Sequence, residues 1–224
     1  DDFSAGEVLA AADLNDTFAS KLPYSYGTAT PSTSVDGFLW YDENDTPPTP
    51  KFWDGSAFQN VAPAGGLELI TTDTFTTASS ISINGCFSTT YRNYMIVLSY
   101  SASTSMLILL RLRASGTDAS GTDYNHQEFH AIGTGITGAL TSGATSAEIL
   151  GGGGSRICAG TVMLYDPAQA SSTALFSQGT NARNTARIDM YASNHGLSTA
   201  YDGFTVLTST GTITGLLRVY GLKD

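Results

Sequence analysis

The chain of 224 residues has room for one large β domain, or for a medium domain with an appendage. Charged side chains make up only 13% of it and the formal net charge is −10, which argues against nucleic acid and anionic membrane surfaces, since both need clustered Lys and Arg. No apolar run reaches the roughly 18 residues of a membrane-crossing helix, and no leader-peptide pattern opens the sequence.

The first predicted element is a helix over "FSAGEVLAAADLNDTFASKL" (Phe3–Leu22). Ser4 followed by Glu7 matches a capping box, and Asp13 followed by Asp16 offers a second start. Leu14, Phe18 and Leu22 recur at i, i+4 and i+8, giving one apolar stripe. A helix of this length is marginal alone in water, so it must dock on another surface.

Next comes "GFLWYDENDTPPTPKFWDGSAFQNV" (Gly37–Val61). "FLWYD" alternates large side chains in strand fashion, and the prolines of "NDTPPTP" are expected to interrupt any ladder because they lack the N–H that pairing needs. Asp54-Gly55 between two aromatic runs is a hairpin signal. Three short strands form a mini-sheet too small to be stable by itself. The punctuation "APAGG" places the main boundary, giving three regions: a helical segment 1–23, an aromatic hairpin module with linker 24–66, and a large domain 67–224.

The large domain reads as strands throughout. "RNYMIVLSY" puts Tyr94, Ile96, Leu98 and Tyr100 on one face, and "SMLILLRLR" does the same with Met106, Ile108, Leu110 and Leu112. Strands at this spacing, joined by Gly/Ser/Asn turns, predict an all-β fold: an antiparallel β-sandwich of jelly-roll-like layout. Several strands are apolar on both faces, which predicts oligomerisation through a sheet face. The run Gly133–Arg156, rich in Gly, Ser and Thr, is expected to be a long loop.

Chemistry-bearing patterns are sparse. In "DYNHQEFH", His126, Glu128 and His130 alternate, so an extended backbone would put two imidazoles and a carboxylate on one face, a donor set suited to zinc. A solvated polar strand face is the plainer reading, and no cofactor is expected. Cys86 and Cys158 have no metal spacing and sit beside apolar residues, as buried thiols do. No GxSxG elbow occurs, and Asp166, Asp189 and Asp202 stand in turn-like contexts, so no enzyme is predicted. Tyr124 and Tyr201, at strand ends beside hydroxyls and amides, are candidates for stacking on a neutral sugar.

Three features together resemble the virion fibres and appendages of bacteriophages. "FSAGEVLAAADLNDTF" resembles their N-terminal attachment segment. The "LWYD", proline and "WDG" sequence of Gly37–Val61 resembles the small module that follows it. "YRNYMIVLSYSAS", "AYDGFTVLTSTGTITGLLRVYGL" and the closing "VYG" are similar to the terminal β domains of tail and head fibres. The resemblance implies a homotrimeric virion protein, made in the bacterial cytoplasm and assembled onto other virion proteins of tail or capsid. Leu14, Phe18, Leu22, Trp40 and Trp53 would dock it, and the C-terminal domain would be displayed toward a host surface glycan. Two alternatives accompany this expectation: a capsid-decorating or cement-like appendage without a receptor, and a surface-polysaccharide hydrolase using some of His126, Glu128, Asp166 and Asp202.

Overall fold

A computed structural model describes residues 24–31, 38–46, 48–61, 66–153, 157–181 and 187–223. The expected helix Phe3–Leu22, with Leu14, Phe18 and Leu22, lies outside the described residues. The chain divides into two compact units, Asp1–Pro63 and Ala64–Asp224. Among the described residues both are all-β, with no helix.

In the first unit, β1 (Tyr24–Gly27), β2 (Leu39–Asp42), β3 (Thr49–Trp53) and β4 (Phe58–Asn60) form a four-stranded sheet in chain order. β1 pairs with β2 in parallel; the other pairs are antiparallel. The β3–β4 turn has a local cause. The Asp54 carboxylate accepts the backbone N–H groups of Ser56 (2.9 Å) and Ala57 (2.8 Å), and Gly55 takes φ 97°, a region that favours glycine. Two features depart from expectation. β1 adds a fourth strand, and Pro50 sits inside β3 opposite Tyr41 rather than interrupting the ladder. A proline keeps its carbonyl, and that of Pro50 accepts the Val61 N–H at 2.9 Å.

The second unit is built of two sheets. The larger contains β5 (Gly66–Ala78), β7 (Asn93–Ala102), β10 (Tyr124–Ile132), β11 (Gly135–Ala144), β13 (Ile157–Tyr165), β14 (Thr173–Asn181), β15 (Arg187–His195) and β17 (Ile213–Lys223). Their order is β11-β10-β15-β14-β13-β7-β17-β5, antiparallel throughout. The smaller sheet runs in the order β12-β8-β16-β6, from β12 (Ala147–Gly152), β8 (Met106–Ala114), β16 (Gly203–Thr208) and β6 (Ser80–Ile83), with β9 (Thr117–Asp118) on β8. Both sheets supply one core. Tyr94, Ile96, Leu98 and Tyr100 enter it from β7, Ile108, Leu110 and Leu112 from β8, and Phe204 and Val206 from β16. The period-2 alternation of these strands is what gives the unit a dry interior.

Gly133–Arg156 is not one long loop. It contains β11, paired along β10, and β12, which buries Ala147, Ile149 and Leu150 in the common core. Glycines of the neighbouring strands make room for β12. Gly160 and Gly179 lie opposite each other on β13 and β14, and a Cβ on either would come within 2.3 Å and 2.5 Å of the Leu150 side chain. Leu150 therefore seats over a pair of residues with no side chains. The β12 backbone is held by hydroxyls of the larger sheet: Ser177 donates to the Ile149 carbonyl and Tyr100 to that of Gly151, each at 2.6 Å.

Candidate docking module and displayed surface

The small sheet has two unlike faces. On one, Trp40 is buried, its indole N–H donating to the Gly27 carbonyl at 3.1 Å. The Phe58 ring meets Trp40 and Trp53 edge-on, each at 5.2 Å. Lys51 bridges Asp42 (2.5 Å) and Asp45 (3.2 Å) with its ammonium 5.1 Å from the Trp40 ring centroid. That hydrogen bond from Lys51 holds the Asp42 carboxyl below its ordinary range. On the other face, Tyr26 and Tyr41 stack at 5.4 Å and stay exposed, together with Leu39 and Phe52. Of the two tryptophans expected to dock, Trp40 is thus spent on the module's own interior, and Trp53 is half-buried beside it. The outward apolar set is Tyr26, Leu39, Tyr41 and Phe52, which alternation about Trp40 could have identified.

In the second unit, neither tyrosine proposed for sugar stacking offers a ring face. Tyr124 has no exposed surface; its hydroxyl donates to the Ala119 carbonyl (3.0 Å) and accepts the Leu112 N–H (2.9 Å). Tyr201 is 3% exposed, its hydroxyl 3.2 Å from His195 Nδ1. Both rings pack edge-on against the His195 imidazole. Burial raises both phenol pKa values and lowers that of His195. The trio seals one part of the interior. Strand-end position in the sequence did not reveal that these side chains point inward.

His126, Glu128 and His130 do share one face of β10, the face turned toward the smaller sheet. His126 is 3% exposed and lies 3.4 Å from the Glu148 carboxylate on β12, with neither ring nitrogen in a hydrogen bond. Among the described residues, no three His, Cys, Asp or Glu side chains come together in a way that could hold a metal ion. Asp166 and Asp202 sit in turns: Asp166 (φ 56°) pairs with Arg92 at 2.7 Å, and Asp202 accepts the Ser115 N–H at 3.0 Å. Asp189 is different from expectation. It lies within β15, 1% exposed, in an ion pair with Arg187 at 2.5 Å, because the partner guanidinium two residues away makes its burial tolerable. Cys86 and Cys158 are buried and form no disulfide; burial pushes the Cys86 thiol up to about 12.

No family model and no curated protein matches the chain. Among solved structures it is similar to the beta-fructofuranosidase of Schwanniomyces occidentalis complexed with fructosyl-erythritol (9% identity, TM-score 0.29) and to the fructofuranosidase of the same organism complexed with fructose (9% identity, TM-score 0.23). In each case 84% of this chain aligns with 39% of the other, so it spans well under half the length of those proteins. Likeness at this level carries no argument about activity.

Proposed function

We propose that the chain is a structural protein of a bacteriophage virion, a homotrimeric fibre or appendage anchored through its N-terminal unit, with its C-terminal unit displayed toward a host surface glycan. The C-terminal unit is read as a β-sandwich of jelly-roll-like layout, supported by two sheets that share one core and by hydroxyls that reach between them. One observation carries the functional reading. Trp40 is the one buried hydrophobic side chain among the described residues of the first unit, while Tyr26, Leu39, Tyr41 and Phe52 stand in solvent. A sheet with so little interior needs another surface to complete it. The order of the motifs resembling fibre proteins gives that surface its identity, a virion protein.

A second reading, a decorating appendage without a receptor, is favoured by the burial of Tyr124 and Tyr201, which removes the residues expected to meet a sugar. The test of anchoring is incorporation. Phage assembled with a chain lacking residues 1–61 should carry none of it on purified particles, while the truncated chain keeps its β circular dichroism. Normal incorporation would overturn the proposal. Adsorption separates the two readings: purified chain that blocks phage attachment to host cells supports receptor binding, and chain without effect supports decoration.

A further inference from the structure

The two sheets of the second unit turn unlike faces away from their common core. On the smaller sheet, Arg113 donates to Asn84 (2.9 Å) and Thr205 (2.7 Å) and pairs with Asp118, and Arg111 donates to the Thr145 carbonyl at 2.9 Å. Half-buried Leu107, Leu109 and Leu207 share that face with the two arginines. The larger sheet differs in how little charge it carries. Strand register aligns three cross-strand rows on its outer side from β11 to β17. The middle row passes through Phe129, Met190, Gln178, Thr161 and Val97 to Arg218. The rows on either side place Ile136 and Ile188, and Leu140, Phe176 and Met163. Arg218 is the one charged side chain in all three, in a chain whose formal charge is −10.

Exposure and shape add to this. Ile188 is 55% exposed and Leu140 69%. Two hollows lie beside them, one of ≈ 500 Å³ lined by Val97, Thr161, Gln178 and Ile188, the other of ≈ 430 Å³ lined by Leu140, Phe176 and Tyr165. Every residue from Gly135 to Gly143 is exposed, so the β11 half of the β10–β11 hairpin is covered on neither face. β11 also carries no charge and no proline, the usual protections of a sheet edge.

We infer that the outer face of the larger sheet, with the β10–β11 hairpin, is an interface between copies of this chain. Copies carrying a large like charge repel except where charge is absent, and this face is such a place. Exposed Ile136 and Leu140 lie on β11, whereas the hollow lined by Val97 and Thr161 lies on β7 and β13, so one copy can meet the next through two different patches of this face, as a closed three-fold ring requires. Seven strands about 4.8 Å apart, crossed by three rows about 6.6 Å apart, offer about 700 Å² per copy, close to the roughly 800 Å² a side of a standard stable interface. The inference locates the seam of the oligomer in the reading above and does not require the virion assignment.

Sedimentation and light scattering on the full chain test it. The wild type should show at least twice the 23.4 kDa monomer mass at micromolar concentration. Ile188→Glu combined with Phe176→Glu should fall to monomer mass with unchanged far-UV circular dichroism. Ser80→Glu, on the smaller sheet, should leave assembly intact. If the first pair fails to fold, Gln178→Glu with Thr161→Glu, at positions already polar, takes its place with the same expectation. In the wild type, amide exchange over Gly135–Gly143 should slow as concentration rises. A monomeric wild type, a folded double variant of unchanged mass, or concentration-independent exchange would each overturn the inference. So would a monomer whose face residues respond only to added host glycan. The particle-incorporation experiment is independent of all these outcomes, so failure of the seam and failure of the anchor are distinguishable.

Discussion

Replacing Leu150 by Ala tests whether a glycine-rich stretch is structural. Leu150 is 2% exposed on β12 and seats over Gly160 and Gly179, so neither position beneath it has a side chain that could relax into the space left behind. Buried Leu→Ala changes cost about 2–5 kcal/mol, and the cost rises when the site cannot collapse. About 3–4 kcal/mol is therefore expected for Leu150→Ala. At about 2–4 °C per kcal/mol for a domain of this size, the transition of the second unit should move down by roughly 6–15 °C. Urea unfolding followed by far-UV circular dichroism provides an equilibrium value, with the midpoint lowered and the slope unchanged. A loss under about 0.5 kcal/mol, the scale of a surface substitution, would refute the packing argument and return this segment to a loop.

The small sheet should loosen in acid. Hydrogen bonds hold the Asp54 and Asp42 carboxyls below their ordinary range, the first chiefly through the Ala57 and Ser56 N–H groups, the second through Lys51. A carboxyl with a depressed folded pKa stabilises above its unfolded value, near 3.9, and that contribution is lost as pH falls below it. Both tryptophans of the chain lie in this unit, so their emission should redshift as pH falls below about 4, and Asp54→Ala should show the loosened state already at neutral pH. Emission flat from pH 7 to 2.5 in the wild type would refute it. Neither cysteine should react with an aromatic disulfide reagent in the native state, since both thiols are buried, and both should react once unfolded. Rapid native labelling would show that the interior is open.

Much of the second unit was legible because alternation and burial report the same physics. The residues placed on one face of "RNYMIVLSY" are the ones β7 buries, and Ile108, Leu110 and Leu112 do the same on β8. Alternation says less where side chains are missing. Around Gly151 the glycines resembled a flexible loop, yet Gly151 sits where the Asp189 and Asn181 side chains leave no room for a Cβ, and its neighbour Leu150 seats over Gly160 and Gly179. Nor does a strand-end position fix direction. Tyr124 opens β10, and its hydroxyl is taken by backbone groups inside the fold rather than turned to solvent. The outward apolar residues of the larger sheet were visible as a tendency toward two-sided hydrophobicity. Pairing register was needed to gather Phe129, Ile188 and Phe176 onto one surface.

The bonds from Ser177 and Tyr100 to the β12 carbonyls have a mechanical consequence. Two greasy layers in contact can slip past one another, since dispersion forces have little sense of position. Here a slip of one residue, about 3.3 Å, would sever both bonds together and leave two oxygens stranded in an apolar medium. Shear along the strands therefore meets a keyed joint that yields all at once, a useful property in any part that is pulled from one end.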